Sequence, residues 1–157
     1  MADQVFNIAL GRVTELYNRV DINDPTDSVL LFIVYSVVGD QDAAVKDVTD
    51  VAALEALGNV AEVTNVGSER KILTDADLVA FAPDNANNRI DLDLPDQTWV
   101  AVEAGDIWSD IAICYDSDST GGTDVGIVTM TWHDFAVTPN GGDITAQISD
   151  DGFYRAS

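Results

Sequence analysis

The chain has 157 residues, and 46% of them are hydrophobic, which is enough to bury the core of one domain. It carries 28 Asp and Glu residues against seven Lys and Arg residues, so its formal net charge is −21. Such a surface repels the phosphates of nucleic acids and of anionic lipids. Nucleic acid and membrane are therefore disfavoured as partners, and a protein surface or a metal ion remains.

The cysteine content and the hydropathy pattern bear on location. Cys114 is the single cysteine, so an intrachain disulfide is impossible and nothing indicates secretion. The first residues do not combine a basic segment with an apolar one, so no signal peptide is predicted. The longest apolar run, residues 29–38, is too short to span a bilayer. We therefore expect a protein that is made and kept in a cytoplasm, or in a particle assembled there.

The N-terminal segment carries two overlapping patterns. Phe6, Leu10, Val13 and Val20 recur at helical spacing, which predicts a helix over residues 5–20. Phe6, Ile8 and Leu10 also alternate, and Gly11 weakens a helix at its middle. An extended arm within residues 1–25 is therefore the alternative.

The next segments are clearer. Asn23 to Ser28 form a turn, and residues 29–38 predict a strand that is buried on both faces. Val51, Leu54 and Leu57 predict a short helix that Thr49 or Asp50 caps and Gly58 ends.

The remainder of the chain predicts β-structure. A strand at 70–73 is followed by a turn at 74–77, and a half-buried strand contains Ile90, Leu92 and Leu94. Further strands are predicted at 98–102, 111–115, 127–132 and 135–138, with a last edge strand at 153–154. Residues 140–143 predict a hairpin between 135–138 and 144–148. The expected fold is α+β: a β-rich single domain over residues 1–157, a sandwich or barrel of short, mainly antiparallel strands with one or two short helices.

One loop has the spacing of a calcium site. Asp116, Asp118 and Asp124 occupy positions one, three and nine of a loop whose sixth position is Gly121. Position twelve, where a bidentate Glu is usual, is Ile127. An Asp- and Gly-rich turn without metal is therefore favoured, and calcium binding is the alternative.

The sequence does not predict catalysis or a cofactor. His133 and Asp134 are adjacent, so on a strand they point to opposite faces, and no Gly-x-Ser-x-Gly elbow supplies a nucleophile. One His and one Cys do not make the usual zinc site. Trp99, Trp108 and Trp132 lie in or beside predicted strands, which favours a role in the core or in subunit contacts.

Short blocks in a fixed order run along almost the whole chain. They are Gly11-Arg12-Val13 with residues 15–20, Asn23-Asp24-Pro25, Arg70-Lys71 with residues 73–78, Pro95-Asp96-Gln97-Thr98-Trp99, Cys114-Tyr115-Asp116 with Asp118, Trp132-His133-Asp134-Phe135, and the ending Asp151-Gly152-Phe153-Tyr154-Arg155-Ala156-Ser157. In order and joint presence these blocks resemble the small acidic virion structural proteins of tailed bacteriophages. The resemblance implies a virion structural protein without catalytic residues, and it does not indicate a position in the particle.

Within that family the leading hypothesis is a capsid decoration (cement) protein. It would be made in the bacterial host cytoplasm, form a trimer or dimer, and bind the major capsid protein or other virion proteins on the outside of the head. A tail or head-fibre appendage subunit for host attachment is the second hypothesis, and a carbohydrate-active enzyme is the third. Candidate capsid contacts are the apolar residues and cations near the N-terminus: Phe6, Ile8, Leu10, Arg12, Tyr17 and Arg19. Alternatively, this segment packs on its own core.

Overall fold

The fold is known from a computed structural model, which describes residues 3–157. The strands are β1 (Gln4–Val5), β2 (Val29–Val37), β3 (Val60–Glu62), β4 (Lys71–Leu73), β5 (Ile90–Leu92), β6 (Gln97–Trp99), β7 (Trp108–Asp116), β8 (Val128–Val137), β9 (Ile144–Ala146) and β10 (Tyr154–Ala156). The helices are α1 (Val13–Asp21), α2 (Asp42–Val45) and α3 (Val51–Glu55). Every strand pair is antiparallel.

A central sheet organises the molecule. Its order is β1-β8-β7-β2-β3, and β4 pairs with the same edge of β2 as β3, nearer the start of β2. The strand predicted at 29–38 is confirmed as β2, whose first seven residues are all buried. Because both faces of these strands are covered, β2 from Val29 to Tyr35 and β7 from Ile111 to Tyr115 are apolar at every position instead of at alternate ones.

One face of the sheet, here called face one, is covered by α1 and by two small sheets, β5–β10 and β6–β9. Val13, Leu16, Tyr17 and Val20 of α1 are buried there, which is the helical spacing seen in the sequence. The Tyr17 hydroxyl lies 2.6 Å from the carbonyl oxygen of Val79 and 2.9 Å from that of Asp93. These contacts fix α1 to the loops that flank the small sheets.

The opposite face, face two, is covered by Phe6, α2 and α3. The predicted helix near Val51 is confirmed, and its cap is Asp50, whose carboxylate accepts a hydrogen bond from the Ala53 N–H at 2.8 Å. The predicted end at Gly58 is wrong, because the helix ends at Glu55 with Ala56 as its C-cap. The strands predicted near residues 71 and 90 and the turn at 74–77 are also confirmed, the turn as a 3₁₀ helix (Asp75–Asp77).

The predicted N-terminal helix is wrong over its first half. Residues 4 and 5 form β1, Asn7–Ala9 form a 3₁₀ turn, and α1 begins only at Val13. Phe6 packs on face two and Val13 on face one, so the chain crosses the sheet edge between them. Gly11, with φ of +76°, permits the bend before α1. The alternative prediction, an extended arm, is also wrong for residues 3–25. Residues 1 and 2 lie outside the described residues.

The predicted hairpin at 140–143 is also wrong. The two strands predicted at 127–132 and 135–138 form one continuous strand, β8, from Val128 to Val137, and β9 pairs with β6 instead of β8. The turn is held by Val102, whose carbonyl accepts from the Gly141 N–H at 2.7 Å and whose N–H donates to the Gly142 carbonyl at 3.0 Å. The chain therefore turns onto face one, where Ala146 is buried.

The predicted fold class, α+β and β-rich, is confirmed, with three α-helices within residues 3–157 instead of one or two. The central sheet is open, since it ends at β1 on one side and at β3 and β4 on the other, so it does not close into a barrel. None of the helices in residues 3–157 has both the length and the apolar character needed to cross a membrane.

Candidate functional site

A groove of about 420 Å³ opens beside the β8 edge of the central sheet. Its floor is Phe32, Ile111 and Ile113, which are core residues of face one. One wall is β8 from Thr131 to Phe135 with residues 3–5, and the other wall consists of residues 146–149 and 152–154. We refer to this cavity as the edge groove. Five segments that are distant in sequence build it, so no local motif indicates it.

Along the edge groove, β8 extends beyond the residues that pair with the described part of β1. β7 pairs with β8 from Val128 to Val137, whereas the two residues of β1 pair with Thr131 and Trp132. Beyond this point the Asp3 carboxylate accepts a hydrogen bond from the backbone N–H of Asp134 at 2.9 Å. Within residues 3–157, no strand pairs with the outer side of β8 from His133 to Val137.

His133 lies in the wall of the edge groove. Its Nε2 lies 2.9 Å from the Thr131 hydroxyl, and its Nδ1 lies 3.8 Å from a carboxylate oxygen of Asp3. Burial lowers the pKa of His133 below its ordinary value of 6.5, against the opposing effect of Asp3. The imidazole is therefore predominantly neutral at pH 7. Its carboxylate neighbour is Asp3, which the sequence analysis did not single out, and not the adjacent Asp134.

The predicted calcium ligands do not converge. Asp116 accepts from the Asp118 N–H at 3.0 Å, and Asp118 accepts from the Thr120 N–H and hydroxyl at 3.0 and 2.6 Å. These bonds to Thr120 lower the pKa of Asp118. Asp124 instead binds Arg70 at 2.7 Å. Among residues 3–157, no group of three or more His, Cys, Asp and Glu side chains is arranged to hold a metal ion.

Arg70 is the centre of a half-buried charge cluster that the sequence analysis missed. Besides Asp124, it binds Glu62 at 2.5 Å and Glu55 at 3.3 Å, so it joins α3, β3 and the loop before β8. The hydrogen bond with Glu62 is the main reason that the pKa of Arg70 is raised. Desolvation, and then the hydrogen bond and charge of Glu62, raise the pKa of Glu55 to about 7. Three carboxylates around one guanidinium tie these elements together.

The six candidate capsid contacts are divided by the fold. Phe6 and Tyr17 are fully buried, so they are core residues, and the part of the hypothesis that places them on a contact surface is wrong for this conformation. Ile8 is half-buried, whereas Leu10 is 61% exposed. Arg12 and Arg19 are exposed, but both bind Glu15, at 3.4 and 2.8 Å. The two guanidinium groups therefore share one carboxylate, which offsets one of their two positive charges.

Other residues noted in the sequence lie in the core. Trp99, Trp108 and Trp132 are fully buried, and the Trp99 and Trp108 rings meet edge to face at 5.3 Å. Cys114 is buried, and burial raises the pKa of its thiol. Asp110, unnoticed in the sequence, is only 1% exposed, and desolvation raises its pKa from 3.8 to about 7. Strand alternation places Asp110 on face two with Ala112, beneath Trp132.

Most basic side chains on the surface are paired with carboxylates of the same chain. Each of the five arginines, at positions 12, 19, 70, 89 and 155, binds at least one carboxylate of the chain. Lys71 lies over the Trp99 ring, 5.5 Å from its centroid. These six cations therefore lie beside carboxylates or an aromatic ring, and the excess acids define the electrostatic field of the surface.

Comparison of the chain with models of protein families found no matching family, and comparisons with curated proteins and with solved structures found no match.

Proposed function

We propose that this chain is a bacteriophage virion structural protein of the decoration type, without catalytic activity, that binds the outside of an assembled head. The observation that carries the proposal is the pairing of all five arginines with carboxylates inside the chain. This leaves an acidic surface whose complement is a protein surface carrying Lys and Arg. The resemblance of the sequence blocks to small acidic virion proteins supports the same class of partner.

The size and charge of the protein support the decoration role. A chain of 157 residues has surface enough for an interface of about 800 Å² with a capsid subunit. Copies that form a dimer or trimer and span neighbouring capsid subunits gain affinity from several weak contacts at once. Because the protein binds the assembled lattice and not its dissociated subunits, mass action favours the assembled state. An acidic outer surface also keeps particles apart in solution.

The copy number per particle tests this proposal against the alternative of a tail or fibre appendage. Quantitative mass spectrometry of purified virions should find the chain in stoichiometric proportion to the major capsid protein, because decoration proteins follow the capsid lattice. A handful of copies per particle would replace decoration by the appendage function. Complete absence from particles would end both.

A further inference from the structure

We infer that three hydrogen-bonded loops, residues 64–69, 100–107 and 140–143, form the surface that docks on a partner protein whose contact combines apolar residues with Lys or Arg. We refer to these loops as the loop platform. The inference rests on the proposed function for the identity of the partner, the major capsid protein, and goes beyond it by naming the contact surface. The N-terminal residues first considered for this role do not supply it, since Phe6 and Tyr17 are buried.

A buried asparagine joins the loops of the platform. The Asn65 side chain accepts a hydrogen bond from the Trp108 indole N–H at 3.1 Å and donates one to the Glu103 carbonyl at 3.0 Å. Val102 binds the third loop through both its N–H and its carbonyl. Because Asn65 is 8% exposed and Trp108 is fully buried, the bond between them is shielded from water. The loops are therefore pre-organised, and a partner that binds them loses little free energy in ordering them.

Three exposed apolar side chains lie on the loop platform. Val66 and Val100 are each 65% exposed, and Ile107 is 58% exposed. The first two lie on neighbouring segments, because the Val66 carbonyl accepts from the Glu103 N–H at 3.0 Å and a Cβ added at Gly67 would lie 2.9 Å from the Val100 carbonyl oxygen. Nine large hydrophobic side chains are exposed in residues 3–157, so a third of them lie on these loops. Apolar side chains gathered among polar ones mark a surface for interaction with another molecule.

The backbone holds one of these side chains toward solvent in an unfavourable conformation. Ala101 has φ of +51°, in the left-handed region that residues other than glycine rarely adopt. The Asp143 carboxylate stabilises this conformation by accepting a hydrogen bond from the Ala101 N–H at 2.9 Å. Val100 is thereby exposed between Trp99 and Val102, which are both fully buried. Backbone strain of this kind is concentrated at functional sites, which supports a contact role for the loop.

The charged residues of the loop platform are all acidic. It has no Lys or Arg and four acids, Glu69, Glu103, Asp106 and Asp143. The two cations that follow the first loop are engaged elsewhere, since Arg70 binds three carboxylates and Lys71 lies over the Trp99 ring. Apolar side chains set among acids are complementary to a contact that combines apolar residues with Lys or Arg. This charge complementarity identifies the chemistry of the partner.

The same charges disfavour a second copy of the chain as the occupant. Two platforms that face each other would bring like charges together, on molecules of net charge −21. Any other surface of a second copy offers few cations, because each of its five arginines already binds a carboxylate. Nucleic acid and anionic lipid are repelled by the same field. A basic protein surface is therefore the occupant that the charges favour.

The experiment measures how tightly the full chain and its variants co-sediment with heads that lack the protein. Val66→Ser and Val100→Ser remove apolar contact area, and Val125→Ser, at a valine that is 69% exposed outside the loop platform, is their matched control. Glu103→Lys reverses an exposed charge on the platform, and Asp150→Lys, at an exposed acid outside it, is the control with the same change in charge. Circular dichroism and thermal unfolding establish that each variant folds.

Photo-cross-linking identifies the neighbour of the platform directly. A benzophenone amino acid is placed at position 66, and at position 125 as the control, and the chain is irradiated on the heads. We expect position 66 to cross-link to the major capsid protein and position 125 to give much less of this product. A cross-link from position 66 to a second copy of the chain would overturn the inference in favour of self-association.

We expect Val66→Ser and Val100→Ser each to weaken binding about fivefold or more, and Glu103→Lys about tenfold, with a smaller loss for Glu103→Lys at high salt. Both controls should weaken binding less than about twofold. Equal weakening by Glu103→Lys and Asp150→Lys would overturn the inference in favour of diffuse electrostatic attraction. If wild type binds heads and the folded platform variants bind equally well, the platform inference fails alone. If wild type binds no heads, the proposed function fails and the inference falls with it.

Discussion

Replacing Asp110 by Asn should remove a pH-dependent loss of stability that is caused by the buried carboxyl of Asp110 on β7. Asp110 is 1% exposed, and desolvation raises its pKa from 3.8 to about 7. The folded state therefore holds a proton that the unfolded state releases near pH 4. The stabilisation by this proton is complete below the unfolded pKa and is lost as the pH rises through the folded pKa.

The magnitude follows from the two pKa values. A shift from 3.8 to about 7 corresponds to about 4 kcal/mol in total, at about 1.4 kcal/mol per pH unit. With these values, about 2.5 kcal/mol of it is lost between pH 5 and pH 8. Asn resembles the protonated carboxylic acid in shape and cannot ionise, so the Asp110→Asn variant should not lose this contribution.

Urea unfolding of both proteins across this pH range measures the effect. Acids that do not interact with Asp110 contribute equally to both proteins, so the difference between their free energies of unfolding reports on Asp110 and its charged neighbours, among them Asp134 and Asp42. We expect the variant to gain about 2.5 kcal/mol on the wild type between pH 5 and pH 8. A difference that stays constant with pH would refute the reasoning, because it would show that Asp110 titrates normally in the folded protein.

Three further predictions follow from the charge distribution. Arg70→Met should destabilise the fold by about 2 kcal/mol at pH 7, because it leaves Glu55, Glu62 and Asp124 without their cation. The destabilisation should be smaller at pH 5, where Glu55 is protonated, and thermal unfolding at the two pH values checks this. Calorimetric titration with calcium should give no stoichiometric binding, and binding that an Asp118→Ala variant loses would contradict the turn interpretation. A gel-shift assay at low salt should show no DNA binding, because the five arginines are already paired, and a clear shift would contradict this reading of the surface.

Sequence reasoning identified the elements whose buried apolar residues lie close together in the chain. β2 and the second half of β7 are apolar runs covered on both sides, and α3 has both a cap and helical spacing, so short windows of sequence contain enough information to identify them. The same reasoning failed for the N-terminal segment because its apolar residues pack on two different faces of the central sheet. Phe6 and Val13 share helical spacing but pack on opposite sides of the sheet.

The remaining errors come from contacts between distant segments. The turn at 140–143 has hairpin composition, but it is held by Val102, some forty residues earlier, which directs β9 to β6. The edge groove likewise brings residues 3–5 beside residues 146–154. Asp110 and Arg70 look like ordinary surface charges in a sequence this acidic, and only their burial and partners distinguish them.

Binding to assembled heads tests the central proposal most directly. Heads that lack the protein are heated with and without purified protein added back, and release of packaged DNA is followed with a dye. We expect the protein to sediment with the heads in stoichiometric amounts and to raise the temperature at which DNA is released. Heads that bind none of the protein, and release DNA at the same temperature with and without it, would contradict the decoration function.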